Sequence, residues 1–186
     1  MTGEWAIGLE SWIIQDSNYP DFECGQQAKF AVEFSFDDLT LEEHTRPSSE
    51  LIRGYAYLLT ARVEGVWDKA WVIDCGISVV EAAAPPKGVE AGDLITGRAL
   101  LGIDPYEYAG YLHDLPGMPP LIYTWRINRI SRETTPRVEV APRVWQRDHK
   151  RVAYVDVERT DAWHDDDGRA SYVLHCELLD VPPARN

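Results

Sequence analysis

The side chains most able to do chemistry in this 186-residue chain are few and scattered. The richest run is His164-Asp165-Asp166-Asp167-Gly168, three carboxylates beside an imidazole. A calcium loop places a turn glycine at its sixth position and a bidentate Glu at its twelfth. With Gly168 in the sixth place, Trp163 takes the first and Leu174 the twelfth, and neither side chain offers an oxygen. The run therefore reads as a solvated hairpin turn. His175 and Glu177 share one face of a predicted strand, but a structural metal site wants four ligands and no others are fixed by spacing. No metal and no cofactor is expected. Cys24, Cys75 and Cys176 are far apart in sequence and read as small buried hydrophobes. Any of the five histidines could activate a thiol, but nothing fixes a pairing. There is no Walker phosphate loop, Gly-x-Gly-x-x-Gly, His-Glu-x-x-His or Gly-x-Ser-x-Gly. No catalytic residue is assigned. A small hydrolase or metal-dependent enzyme built on His164, Asp165 and His175 stands only as the second alternative.

Charge says more than motifs do. The formal net charge is −13 and the pI is near 4.7, which disfavours general attraction to nucleic acid or anionic membrane. The first fifty residues hold Lys29 and Arg46 against eleven acids. The segment 126–151 is the opposite: Arg126, Arg129, Arg132, Arg137, Arg143, Arg147, Lys150 and Arg151 face only Glu133, Glu139 and Asp148. Either this window pairs with the acidic remainder or it forms a patch. The preferred function is a non-catalytic binding protein whose partner is another protein, a basic one by charge. Its candidate contacts are Asp37, Asp38, Glu42 and Glu43. The alternative is single-stranded nucleic-acid binding, with Arg126, Arg129 and Arg132 on phosphates and Trp67 and Trp71 stacking on bases.

No apolar run reaches the roughly 18 residues that cross a bilayer. The start, Met1-Thr2-Gly3-Glu4-Trp5, lacks the regions of a signal peptide. A cytoplasmic location is expected.

The elements that would position these groups are mostly strands. Phe30, Val32, Phe34 and Phe36 alternate within 29–36, the period-2 mark of a half-buried strand. Tyr55, Tyr57, Leu59, Ala61 and Val63, then Trp71 to Val79, read as a hairpin turning at 67–69. Ile95 to Ile103 is a third strand, with Gly97 placed for a bend or a close approach. Asp104 as N-cap, Pro105 at N1 and Glu107 at N3 start a short helix near 105–113. Leu121 to Ile127 is a fourth strand, a fifth is available near Val152, and 170–181 pairs back on 152–163. Residues 182–186 read as a frayed tail.

Three strands, a helix and another strand over 54–158 resemble the layout of an oligonucleotide/oligosaccharide-binding (OB) barrel. The fold class is thus mainly β, an antiparallel barrel or sandwich in one domain. An acidic β extension over 1–50 is expected to pack on a barrel-like core over 54–181.

Overall fold

The computed structural model describes residues 4–42, 46–148 and 150–180. The strands are β1 (Glu4–Glu10), β2 (Gln27–Phe30), β3 (Val32–Phe36), β4 (Thr40–Glu42), β5 (Ser48–Arg53), β6 (Ala56–Trp67), β7 (Ala70–Asp74), β8 (Ser78–Glu81), β9 (Leu94–Ile103), β10 (Tyr123–Glu133), β11 (Arg137–Ala141), β12 (Val144–Arg147), β13 (Tyr154–Val157) and β14 (Ser171–Asp180). The helices are short: α1 (Ser11–Gln15) and α2 (Glu107–Gly110). The protein is mainly β and contains a closed five-stranded mixed barrel.

The barrel runs β9-β3-β8-β7-β6 and returns to β9. Only the β3–β8 contact in this ring is parallel, through Glu33 and Val80. The expected alternation is what fills it. Tyr57, Leu59, Ala61 and Val63 of β6 are buried, as are Phe34, Ile73, Ile95, Ala99 and Leu101. Phe34, Phe36 and Trp71 cluster as aromatic neighbours, Phe34 and Trp71 edge to face at 4.8 Å between centroids.

The staves differ from those the sequence suggests. The run 71–79 is two strands, because Asp74 folds it back: its Oδ1 accepts from the Gly76 amide at 2.8 Å, and Gly76 sits at φ +110°. Cys75 and Ile77 both stay buried, so the turn leaves no gap in the apolar pattern. The ring takes β3 from the acidic N-terminal stretch as a stave. Residues 123–133 and 154–157 lie outside the ring, in the adjoining sheet.

That sheet runs β13-β10-β14-β1, and β2 also pairs with β10. It joins the barrel where β1 meets β9, through the pair Gly8 and Gly102. It also joins at Ala31, where one continuous apolar alternation passes from β2 into β3. Phe30 and Trp125 stack at that corner, 5.6 Å apart. One apolar core spans both halves. A smaller one lies under α2, around Tyr108, Leu112, Met118 and Leu121.

The short helix falls where expected, but its cap differs. Tyr106 takes a left-handed conformation (φ +80°) just before Glu107. Asp104 still serves the helix start: it is buried, and its carboxylate accepts from the Tyr108 amide at 3.1 Å. Gly97 does allow a close approach. The Asp38 carbonyl passes over it, in space that a Cβ would occupy. That crossing lets β4 continue along β9 after β3 leaves off.

Candidate functional site: a glycine-floored cleft

The outer face of β1, β9 and β3 carries a partly enclosed hollow that holds two carboxyls. Two glycines make its floor. Gly8 and Gly102 pair across β1 and β9, and a Cβ on Gly8 would fall 2.8 Å from the Tyr55 ring. The Tyr55 ring packs on Gly8 and the Glu33 side chain on Gly102, and beside them lies a cleft of about 180 Å³ lined by Glu10, Trp12, Ile13, Glu33, Ser35, Tyr55 and Leu100. Glu33 comes from β3, beside Gly102 in register. Trp12 is half exposed on α1. A wider hollow of about 340 Å³ adjoins it, sharing Glu10, Tyr55 and Leu100 and adding Arg53, Arg98, Glu133, Arg147 and Tyr154.

Both carboxyls of the smaller cleft hold their protons above the ordinary range. Burial pushes Glu33 up to about 7, and the anions of Asp104, Glu81 and Glu107 add to it. Burial raises Glu10, partly offset by a hydrogen bond from Ser171 (2.8 Å) and by the charge of Arg147 in the adjoining hollow. Asp104 rises to about 6, mainly by burial. Buried carboxyls elsewhere have donors: Trp71 Nε1 serves Glu81 at 2.7 Å, Arg132 meets Asp165, and Arg147 meets Glu133 at 3.6 Å. Glu33 has neither a hydrogen bond nor an ion pair among the described residues. Sequence reasoning missed this cleft. Glu33 reads in one dimension as the polar face of a strand, and the paired glycines lie 94 positions apart.

The sequence-predicted residues do not converge. Asp37 and Asp38 are exposed; Asp37 pairs with Arg98 at 3.4 Å, and Asp38 accepts from the Arg98 amide. Glu42 is exposed on β4, and Glu43 lies outside the described residues. Trp71 is 1% exposed and committed to Glu81, so it has no face for a base. Trp67 lies across Gly65 and donates to the Pro116 carbonyl at 3.0 Å. Arg126, Arg129 and Arg132 are half-buried or exposed, yet each meets an acid: Glu177 (3.5 Å), Asp156 (3.2 Å) and Asp165. The tail 182–186 also lies outside the described residues.

The residues of the hydrolase alternative are also dispersed. His164 pairs with Asp161 at 2.7 Å, while Asp165 accepts from Arg132 and from the Tyr172 hydroxyl. His175 lies in a different cluster. Ser131 Oγ is 3.2 Å from His175 Nε2 and donates to Asp156 at 2.7 Å. This resembles a nucleophile with its base, but the proton logic runs the other way. Arg129 can only donate, so the His175 Nδ1 that it meets at 3.0 Å is an acceptor. The neutral ring therefore carries its proton on Nε2, facing Ser131, and cannot take one from it. Among the described residues, no group of three or more His, Cys, Asp or Glu is arranged to hold a metal.

Cys75 and Cys176 are buried and Cys24 is half-buried. Burial pushes the Cys75 thiol up to about 12, which leaves it unreactive. No helix among the described residues is long and apolar enough to cross a membrane. Comparisons with family models, with curated proteins and with solved structures each find no match to this chain.

Proposed function

We propose that this chain is a non-catalytic, cytoplasmic binding protein whose partner is a basic protein. One observation carries the reading: the arginine-rich segment is spent internally. Six of its eight cations meet carboxylates of this chain: Arg126 with Glu177, Arg129 with Asp156, Arg132 with Asp165, Arg137 with Asp166, Arg147 with Glu133 and Asp166, and Arg151 with Asp148. The net −13 is then carried by carboxylates elsewhere. Such a surface steers a cationic partner and repels phosphates. Asp38 and Glu42, on and beside β4, are exposed and are the first contacts proposed.

The OB resemblance belongs to the same reading. An OB barrel closes in the cycle first, second, third, fifth, fourth strand, with the third and fifth parallel. The pairings β6-β7-β8-β3-β9 support that cycle, with β3 in the fifth place although it comes first in the chain. The nucleic-acid function that such barrels often serve is the weaker reading, because Arg126, Arg129 and Arg132, the arginines it would use, each meet a carboxylate of this chain.

The test is crosslinking capture with the wild type and with a D37K/D38K/E42K variant, beside anisotropy with a labelled single-stranded oligonucleotide. A specific protein partner lost in the variant, with no oligonucleotide binding at low salt, is the expected result. Salt-sensitive oligonucleotide binding with no protein partner would sink the proposal.

A further inference from the structure

We propose that the cleft between α1, β1, β3 and β9 receives an organic cation, a guanidinium or ammonium group on an apolar stem, held by Glu10 and Glu33 against Trp12 and Tyr55. The cation is an arginine or lysine side chain of the partner; this rests on the basic-partner reading and says where that partner is anchored.

Four observations support it. Among the described residues the cleft is lined by two carboxyls and by no lysine, arginine or histidine. Elsewhere the chain provides its half-buried acids with an arginine, an indole or an amide. Glu33 alone among these has no donor in the described structure, and it faces Asp104, Glu81 and Glu107 from neighbouring elements. A cation there would relieve repulsion that the fold leaves standing.

The walls select the kind of cation. The half-exposed Trp12 indole and the Tyr55 ring are faces on which a guanidinium or ammonium group is attracted by the ring quadrupole. Gly8 and Gly102 let the Tyr55 ring and the Glu33 side chain lie close against the strands, which sets the ring beside the carboxyl. The cleft, about 180 Å³, is on the scale of one long side chain rather than of a nucleotide. A bare divalent ion suits the site poorly, because it wants six or more oxygens, not an aromatic wall.

Proton linkage gives a distinctive signature. Glu33 is largely protonated below pH 7, and a cation binds its ionised form, so binding must release a proton and strengthen as pH rises. Among the described residues, the other titratable groups around it are Glu10, Glu81, Asp104, Glu107, Tyr19 and Tyr55, and the charge of Arg147 reaches Glu10 from the adjoining hollow.

The experiment titrates the full chain with agmatine and with acetyl-Gly-Arg-Gly-amide at pH 8 and pH 5.5, reading heat and the Glu33 carboxyl carbon shift. Calcium chloride is the control. Expected results are saturable binding of both probes at pH 8 and about tenfold or more weakening at pH 5.5. Glu33→Gln and Trp12→Ala should each lose about tenfold or more at pH 8. Trp12 is half exposed, so its removal leaves the core intact. An unmoved Glu33 resonance at saturating probe, or equal binding by the variants, overturns the proposal. An equal response to calcium overturns the organic-cation assignment. Loss of partner capture without loss of agmatine binding removes the basic partner and keeps the cation site.

Discussion

Arg129 donates to Nδ1 of His175 at 3.0 Å and so decides where that imidazole keeps its proton. The ring is neutral, with Nε2 toward Ser131 and Ser131 toward Asp156. Burial and the Arg129 charge lower the His175 pKa below its ordinary 6.5. The folded state therefore accepts this proton less readily than the unfolded chain. Its contribution to stability is whole at pH 7.5 and declines as pH falls through about 6.5, the unfolded value. In urea unfolding, the stability difference between wild type and His175→Asn should shrink from pH 7.5 to pH 5. A difference that does not change with pH would contradict the neutral, arginine-bound ring.

Glu33 carries the opposite sign. Its pKa in the fold is raised to about 7 from an ordinary 4.5, so the folded state binds the proton more tightly. Stability contributed by Glu33 is present near pH 4.5 and is lost as pH rises through about 7. Glu33→Gln, which stays neutral, should be more stable than the wild type at pH 8, with the gap narrowing toward pH 5. Thermal unfolding across that range checks it; an unchanged melting temperature at pH 8 would count against a strained carboxyl.

Gly97 has a steric job. A methyl group there meets the Asp38 carbonyl, which is backbone and cannot swing aside. Gly97→Ala should cost about 1–3 kcal/mol, the usual range for overpacking a fixed site. The damage should be local to the β3–β4 crossing. Denaturant unfolding gives the loss, and amide exchange at Leu41 and Ile95, which pair there, gives its place.

Arg147 fastens the β11–β12 hairpin. It meets Glu133 of β10 at 3.6 Å and Asp166 at 3.2 Å, and it donates to the Arg169 carbonyl. Its side chain is 19% exposed, so these contacts are only partly screened. Arg147→Met keeps the apolar stem and should cost about 1–3 kcal/mol. Exchange protection should fall at Val138 and Gln146 while the barrel keeps its own. Uniform loss across the chain would show that the hairpin is not a separate unit.

How much of this could be read from the sequence follows from what each signal encodes. Alternation in 55–63 marked β6 because a stave buried on one face must alternate. The same rule could not mark the break between Asp74 and Ser78, since Cys75 and Ile77 within it are both buried and keep the alternation going. The helix start at Asp104 was legible because capping is local. Its left-handed Tyr106 was not, because a non-glycine residue rarely takes that conformation and no local signal marks it. The charge window was visible, but its partners were not. Asp156, Asp165, Asp166 and Glu177 come from β13, β14 and the loop between them. The cleft was the least legible feature. It exists only where β1, β3 and β9 meet, and its key positions are glycines that contribute no side chain at all.

The strand that closes the ring is synthesised before its four companions, and its two neighbours arrive only with Ser78–Glu81 and Leu94–Ile103. A nascent chain must therefore hold residues 32–36 unmated until more than forty further residues have emerged. Such distant mating makes refolding a matter of milliseconds to seconds rather than microseconds. A fragment starting at Gly54 would expose two raw flanks, on β8 and on β9, and should clump rather than fold.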